Sequence, residues 1–505
     1  MMPRMRLLPL LFVVLLAACS DGTRHASSSA PPATVRGLSV LHATRGAAPG
    51  IFDAGNRQVL LRGVNYNALG DYYQDNPALP SVILPRADDF PRMASAGLNS
   101  VRLIVHWSRL EPQPGVYDES YLAAVRAQIE QAAAAGLYVI VDMHQDAWGK
   151  FIATREAGDS CVPPLEAAIG WDGAPDWATL TDGLTTCRLQ QREFSPAVQA
   201  AFLNFYLDTQ GIQTHFLAAW SHLVSAVAAY DNVAGYDLLN EPSPGFLIGA
   251  NNVTFLTLLY SRAVSAIRAA EAALPGAPQH IVFFEPGGEW SIAGITAPVL
   301  PTFTSDPNIV FAPHMYCGAG APTSQAQCFQ FASGIAALFQ TTFWVGEWGY
   351  FGAPDSIAPD VNAFAGQEDA ALVGSAQWQW QQACGDPHTI GTPGGTPAAT
   401  VTQMLLVGCP GDVDLGFVEA NRLAVSRTYP RAAPGALSAL RSDVASGEAD
   451  ISGSGDGTLE LWVPARIGTP QITGGSGAPE IEARPGGFVT RVPVSGNYTV
   501  TVRAS

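Results

Sequence analysis

Short apolar runs alternate with longer stretches of helical periodicity along most of the 505-residue chain. The predicted strands are Leu60–Asn65, Ser100–Val105, Tyr138–Asp142, Val233–Leu238, His280–Phe284, Ile309–Ala312, Thr342–Val345 and Gly374–Trp378. Between them, Tyr121–Ala135, Ala197–Ala229, Phe255–Ala273 and Ala326–Phe339 carry apolar residues at three- and four-residue spacings and many alanines, which predicts helices. Eight strands alternating with helices predict parallel βαβ units. An open nucleotide-binding sheet would show a Gly-rich fingerprint after its first strand, and Gly63 stands alone there. The expected fold is therefore α/β, a closed (β/α)8 barrel. Such a barrel needs about 250 residues, so Lys150–Ser195 reads as an insertion after the third strand. Ile51–Leu61, with Gly55-Asn56 at a turn, predicts a hairpin leading into the first strand. From Ala436 the pattern changes to alternating Thr, Val and Ile between glycine turns, which predicts a small C-terminal β-sandwich. The expected bodies are 38–435 for the barrel and 436–505 for the sandwich.

The first residues belong to neither. Arg4 and Arg6 precede an apolar stretch from Leu7 to Ala18 that is too short to span a bilayer and ends at Leu16-Ala17-Ala18-Cys19. This resembles a bacterial lipoprotein signal (residues 1–18) with Cys19 as the lipidated residue; an ordinary secretory signal cleaved near Ala18 is the alternative. Residues 19–37 are polar and rich in Ser and Pro, which suits a flexible spacer. The protein is thus expected to be exported and either tethered to the cell envelope or secreted. The other six cysteines then read as disulfides, and their order suggests the local pairs Cys161–Cys187, Cys317–Cys328 and Cys384–Cys409 among 15 possible connectivities.

Charge narrows the partners. The formal net charge is −17 and Lys150 is the only lysine. Phosphate binding needs a basic stripe, and none is visible, so nucleic acid is excluded as the main partner. Charged residues are 14 % and hydrophobic ones 48 %, which excludes a disordered polyelectrolyte. No metal or organic cofactor is implied: C-x-x-C pairs are absent, and Asp142, His144 and Asp146 lack a second His/carboxylate cluster in the sequence to complete a metal site.

Active sites of such barrels lie at the C-terminal strand ends. Strand four ends Asn240-Glu241-Pro242 and strand seven ends Gly346-Glu347-Trp348, one glutamate each. A glycosidase requires that pair: one protonated carboxyl expels the leaving oxygen, and an ionised one attacks the anomeric carbon. These motifs, with Arg102, His144, His314-Met315-Tyr316 and a strand-eight tryptophan in barrel order, resemble glycoside hydrolase family 5. Asp142-Met143-His144-Gln145-Asp146, the segment from Trp171 to Thr179, Arg427-Thr428-Tyr429-Pro430-Arg431-Ala432 and the C-terminal sandwich resemble its endoglycoceramidase-related branch.

The resemblance implies a retaining β-glycosidase with Glu241 as acid/base and Glu347 as nucleophile. Asn240 would bond the sugar 2-hydroxyl, and Tyr316 and Arg102 would flank Glu347. His144 and Asp146 would recognise hydroxyls, and His314 would order Tyr316 or Glu241. Trp378, rather than Trp380, would form the platform under the sugar. Glu285 and Glu289 also follow a strand and are the rival acid pair; Arg102 and one of the two tryptophans have purely structural rivals. Phe246, Leu247 and Ile248 place three large apolar residues just after Glu241, where they would contact a lipid aglycone or else tuck beneath the insertion. Glycosphingolipid-cleaving relatives often carry a lysine near the end of strand one; the segment from Arg62 to Tyr73 has none.

The expected function is hydrolysis between a sugar or glycan and a hydrophobic aglycone, with glycosphingolipids first. A β-glucanase or steryl-β-glucosidase is the alternative, and a non-catalytic glycan-binding lipoprotein is the alternative of a different class. The expected partners are a glycolipid or other β-glycoside and, through the anchor, a membrane; a monomer is expected.

Overall fold

Eight parallel strands, buried on both faces as all-parallel sheets require, follow in chain order: β1 (Arg62–Tyr66), β2 (Ser100–His106), β3 (Tyr138–His144), β4 (Val233–Asp237), β5 (Ile281–Phe284), β6 (Ile309–Phe311), β7 (Val345–Trp348) and β8 (Ser375–Gln377). The computed structural model describes residues 38–74, 76–155, 159–189, 191–247, 250–288, 290, 299–318, 323–353, 356–389 and 402–505. The leader-like segment, Cys19, the whole spacer, Ile248 and Glu289 lie outside the described residues.

Neighbouring strands pair in the order 6-5-4-3-2-1-8-7. The ring closes because the sixth strand is broken at Ala312-Pro313. Its first half bridges to Phe343 just before β7, and its continuation, His314–Met315, pairs with Glu347 and Trp348 of β7. Proline lacks the N–H a ladder needs, so the break falls there. The result is the expected (β/α)8 barrel.

The helices differ from expectation in one place. The stretch 197–229 is two helices, Pro196–Tyr206 and Ile212–Val227. Asp208, Gln210 and Gly211 between them take left-handed backbone angles (φ 54, 56 and 79°). The Asp208 carboxylate accepts from the Thr214 N–H and hydroxyl at 2.9 and 2.7 Å, so its local bonding competes successfully with helix continuation.

The N-terminal hairpin, Leu41–Thr44 with Gly50–Asp53, plugs the lower end of the barrel. Leu41, Ala43 and Ile51 pack with Ile140, Phe283, Val310 and Trp344 from the strands. It also extends the sandwich. The larger sandwich sheet runs through the hairpin, Arg57–Gln58, Tyr429–Pro434, Gly457–Pro464, Gly487–Val494 and Glu480–Arg484, and faces a second sheet of Ala436–Ser442, Ala449–Ser454, Asn497–Arg503 and Gln471–Thr473. Strand Tyr429–Pro434 therefore joins the sandwich sheet ahead of the boundary expected at 436. Arg427 explains why that segment is anchored: its buried guanidinium bonds Glu368 at 2.6 Å and Asp369 at 2.7 Å, and Arg62 of β1 pairs with the same two carboxylates. Disulfides Cys161–Cys187, Cys317–Cys328 and Cys384–Cys409 are all formed.

Candidate active site

Arg102, the third residue of β2, is completely buried at the barrel mouth. Its guanidinium reaches Asp142, Asp237, Glu285 and Glu347 at 2.8–2.9 Å and donates to the side chains of Asn65 and Asn240, both at 3.0 Å. The two readings of Arg102 merge: it is an ion-pair hub, and one spoke is Glu347. Burial alone would lower the pKa of this guanidinium, but the four carboxylates outweigh it and raise it.

Glu347 accepts from Arg102 at one oxygen and from the Tyr316 hydroxyl at the other, each at 2.8 Å. Burial pushes its pKa above the usual carboxylate range, with the His314 and Arg102 cations opposing. Glu241 lies across the mouth with its carboxyl 2.9 Å from His314 Nδ1, and that same nitrogen is 3.5 Å from Glu347. One oxygen of each glutamate lies within 4.8 Å of the other. Glu241 takes a left-handed backbone conformation, φ +38°, a strained state for a residue with a β-carbon. Neighbours hold it there: its N–H donates to Glu285 at 2.8 Å, and its carbonyl accepts from the Gln145 amide at 3.0 Å. Asn240 is locked beside it, donating to the Gln145 carbonyl at 2.9 Å.

The two glutamates open onto a cavity of about 610 Å³ whose wall includes Asn240, Tyr316, Trp378 and Asp146. Trp380 points elsewhere, fully buried with its indole N–H on Asp89, so of the two tryptophans Trp378 is the one that lines the cavity. His144 is buried, stacks on Trp378 (centroids 5.3 Å apart) and bonds Asp142 through Nδ1 at 2.7 Å. Glu285 sits behind the wall, in contact with Arg102 and with the Glu241 backbone, and does not line the cavity.

Several residues at the cavity escaped sequence reasoning. His388, from the chain after β8, bonds Asp146 at 2.8 Å and Asp386 at 2.6 Å and lies against Trp171 and Trp378. Those two carboxylates outweigh its burial and raise its pKa to about 10. Arg192, from the insertion, reaches the other oxygen of Asp146 at 2.8 Å while covering the Trp171 ring. Asp146 is held well below the usual carboxylate range, its burial outweighed by Arg192 and the two histidines. Trp171 falls in a motif already singled out by resemblance; His388 and Arg192 carry no such signal, since nothing in their spacing says where two long loops return. The strand-one segment has no lysine of its own, but Lys150, from after β3, bonds its Asp71 at 2.7 Å.

The apolar segment after Glu241 is arranged differently from expectation. Leu247 packs against the hydrophobic core, and Phe246, although 48 % exposed, does not line the cavity. The Gln199 amide oxygen accepts the Phe246 N–H at 2.7 Å, and Gly245 (φ +63°) approaches the Phe202 and Leu203 backbone too closely for any β-carbon, which fixes the segment against the helix Pro196–Tyr206. The exposed aromatics that do line the cavity are Phe194 and Phe351.

Residues 52–383 match the family model described as cellulase (glycosyl hydrolase family 5). The crystal structure of an endogalactoceramidase superposes with a TM-score of 0.84 at 39 % identity, covering 92 % of this chain and 100 % of that one. Endo-glycoceramidase II from Rhodococcus sp., as a lactosyl-enzyme intermediate, gives 0.69 at 25 % identity, covering 90 % and 99 %. Endoglycoceramidase I of Rhodococcus hoagii (strain 103S) is 29 % identical over 288 residues, 53 % of this chain and 51 % of that protein. The matches span about half or less of the length of such curated relatives. The chain belongs to glycosyl hydrolase family 5, on its endoglycoceramidase-related branch.

Proposed function

We propose that this chain is a retaining β-glycosidase that releases a sugar or glycan from a hydrophobic aglycone, with glycosphingolipids as the substrate class. The observation that carries the reading is the closeness of the two carboxyl groups, with oxygens within 4.8 Å across the cavity mouth. Retaining enzymes hold the two groups roughly 5–5.5 Å apart, whereas inverting ones leave about 6.5–9.5 Å for a water. Glu347, with 6 % of its side chain exposed and two donors on its carboxylate, is the nucleophile. Glu241, at 24 %, is the more open to solvent, as an acid that must re-exchange its proton requires.

In the first step Glu347 forms a bond to the anomeric carbon as the glycosidic C–O bond breaks. Glu241 gives its proton to the departing oxygen, so the aglycone leaves as an alcohol. In the second step Glu241, now a carboxylate, takes a proton from water. The oxygen of that water bonds to the anomeric carbon and Glu347 leaves, regenerating both groups. Asn240 and Trp378 position the sugar.

The ceramide assignment draws support from the names of the relatives and from the apolar edge at Phe194 and Phe351. Product analysis on glycosphingolipids, cello-oligosaccharides, a steryl glucoside and aryl glycosides tests it. Release of ceramide is expected. Turnover confined to cello-oligosaccharides or steryl glucoside would establish the β-glucanase or sterylglucosidase alternative, and turnover of nothing would favour a binding protein. Burying one aromatic side chain against a lipid chain is worth roughly 1.5–3 kcal/mol. Phe351→Ser should therefore lower kcat/KM on glycolipid by about tenfold or more while small aryl glycosides stay within about twofold. Phe246→Ser should alter neither. Equal losses on both substrates for Phe351→Ser would mark that residue as structural.

A further inference from the structure

Glu285 follows β5 and is 1 % exposed. Its Oε2 accepts the Glu241 N–H at 2.8 Å, and its Oε1 accepts from Arg102 at 2.8 Å and lies 3.2 Å from His314 Nε2. The opposite nitrogen of His314 is the one that faces both Glu241 and Glu347. One carboxylate is thus tied to the backbone of the acid/base and to the imidazole between the two reactive carboxyl groups. We infer that Glu285 is a positioning residue for the acid/base: it holds the left-handed backbone of Glu241 and orients His314 between the two glutamates. This rests on the hydrolase reading above.

Charge balance alone does not account for Glu285. Arg102 already meets Asp142, Asp237 and Glu347, so Glu285 is a fourth buried carboxylate on one guanidinium. Burying surplus negative charge is costly. The contact that the other three carboxylates do not make is the one to the Glu241 N–H, at a residue whose backbone would otherwise relax out of the left-handed region. The groups facing Glu285 are Arg102 of β2, Asp142 of β3, Asp237 of β4, His314 after β6 and Tyr260, whose hydroxyl donates to the Glu285 carbonyl at 3.2 Å. Burial, with Asp237 adding and His314 and Arg102 opposing, raises the pKa of Glu285 to about 7. The carboxyl is therefore close to the point where its charge responds to neutral pH.

Glutamine at this position has the same shape, but whichever way its amide turns, its NH2 meets a donor: the Glu241 N–H on one side, or Arg102 and His314 on the other. Glu285→Gln and Glu285→Ala are compared with wild type on phenyl and 2,4-dinitrophenyl β-glycosides of one sugar. Thermal melts confirm folding, and the isosteric variant serves if the alanine variant fails to fold. Misplacing the acid should lower kcat/KM on the phenyl glycoside by about 30-fold or more, a part of the 10²–10⁴ that general acid catalysis supplies. The dinitrophenyl glycoside, whose leaving group needs no proton, should stay within about threefold. Equal losses on both glycosides would show a merely structural residue, and unchanged kinetics would show no role; either overturns the inference. A wild-type enzyme inactive on every glycoside would overturn the hydrolase reading itself.

Discussion

Glu347→Gly should lower kcat by roughly 10⁴-fold or more on every glycoside, whatever its leaving group, because the variant loses the group that bonds to the anomeric carbon. The neighbouring carboxyls cannot substitute: Asp142, Asp237 and Glu285 are sealed around Arg102 behind the cavity wall. Folding should survive, since Arg102 keeps three carboxylates. Mass spectrometry of the wild-type enzyme after a 2-deoxy-2-fluoroglycosyl fluoride should find the sugar on the Glu347 peptide; a label on Glu285 or Glu241 would reverse the roles. The pH profile adds a sign. Glu347 must be ionised to attack, and burial lifts its pKa above that of a free glutamate. Activity should therefore fall on acidification at a higher pH than a free glutamate would dictate, and an acid limb at or below 4.5 would contradict the assignment.

Arg427→Ala should cost about 3–5 kcal/mol of stability, the usual result of stripping one partner from a buried ion cluster. Arg427 and Arg62 together neutralise Glu368 and Asp369, all four at most 3 % exposed. Removing Arg427 leaves two buried carboxylates on one arginine and also frees the carbonyls of Ala365 and Ala424 that it bonds at 3.0 and 2.7 Å. Lysine should recover only part of the loss, because one ammonium cannot reproduce the bonds to two carboxylates and two carbonyls. Urea unfolding of wild type, Arg427→Ala and Arg427→Lys measures it. A loss below about 1 kcal/mol would mean the cluster is hydrated and weak.

The carboxylate pair that meets across the cavity was legible because both glutamates sit at the ends of regular elements. A strand at the centre of a barrel announces itself by an unbroken apolar run, and the residue just past its end must lie at the mouth. Glu241, beyond β4, and Glu347, in the last half of β7, fall in that zone together with Glu285, and the family resemblance singled out the first two and Trp378. The three disulfides were legible too, since each closes a stretch of no more than 26 residues. Glu285 was visible by the same strand-end rule, but its part was not. Only the packed structure turns it away from the cavity and onto the Glu241 backbone.

The sequence by itself determined the parallel barrel, the two strand-end glutamates and the acidic, disulfide-bonded character of the chain, because each depends on local periodicity or on residue type alone. Tertiary structure decided what stands around the reaction. His388 and Arg192 converge on Asp146 from segments 242 and 46 residues away in sequence. Lys150 reaches Asp71 near strand one, Leu247 packs against the core instead of lining the cavity, and the N-terminal hairpin joins a sheet built mostly from the last 80 residues or so. These are meetings between distant loops and sheet edges. Their cause is the filling of one common volume and the pairing of buried charges, which is settled only when the whole chain has packed.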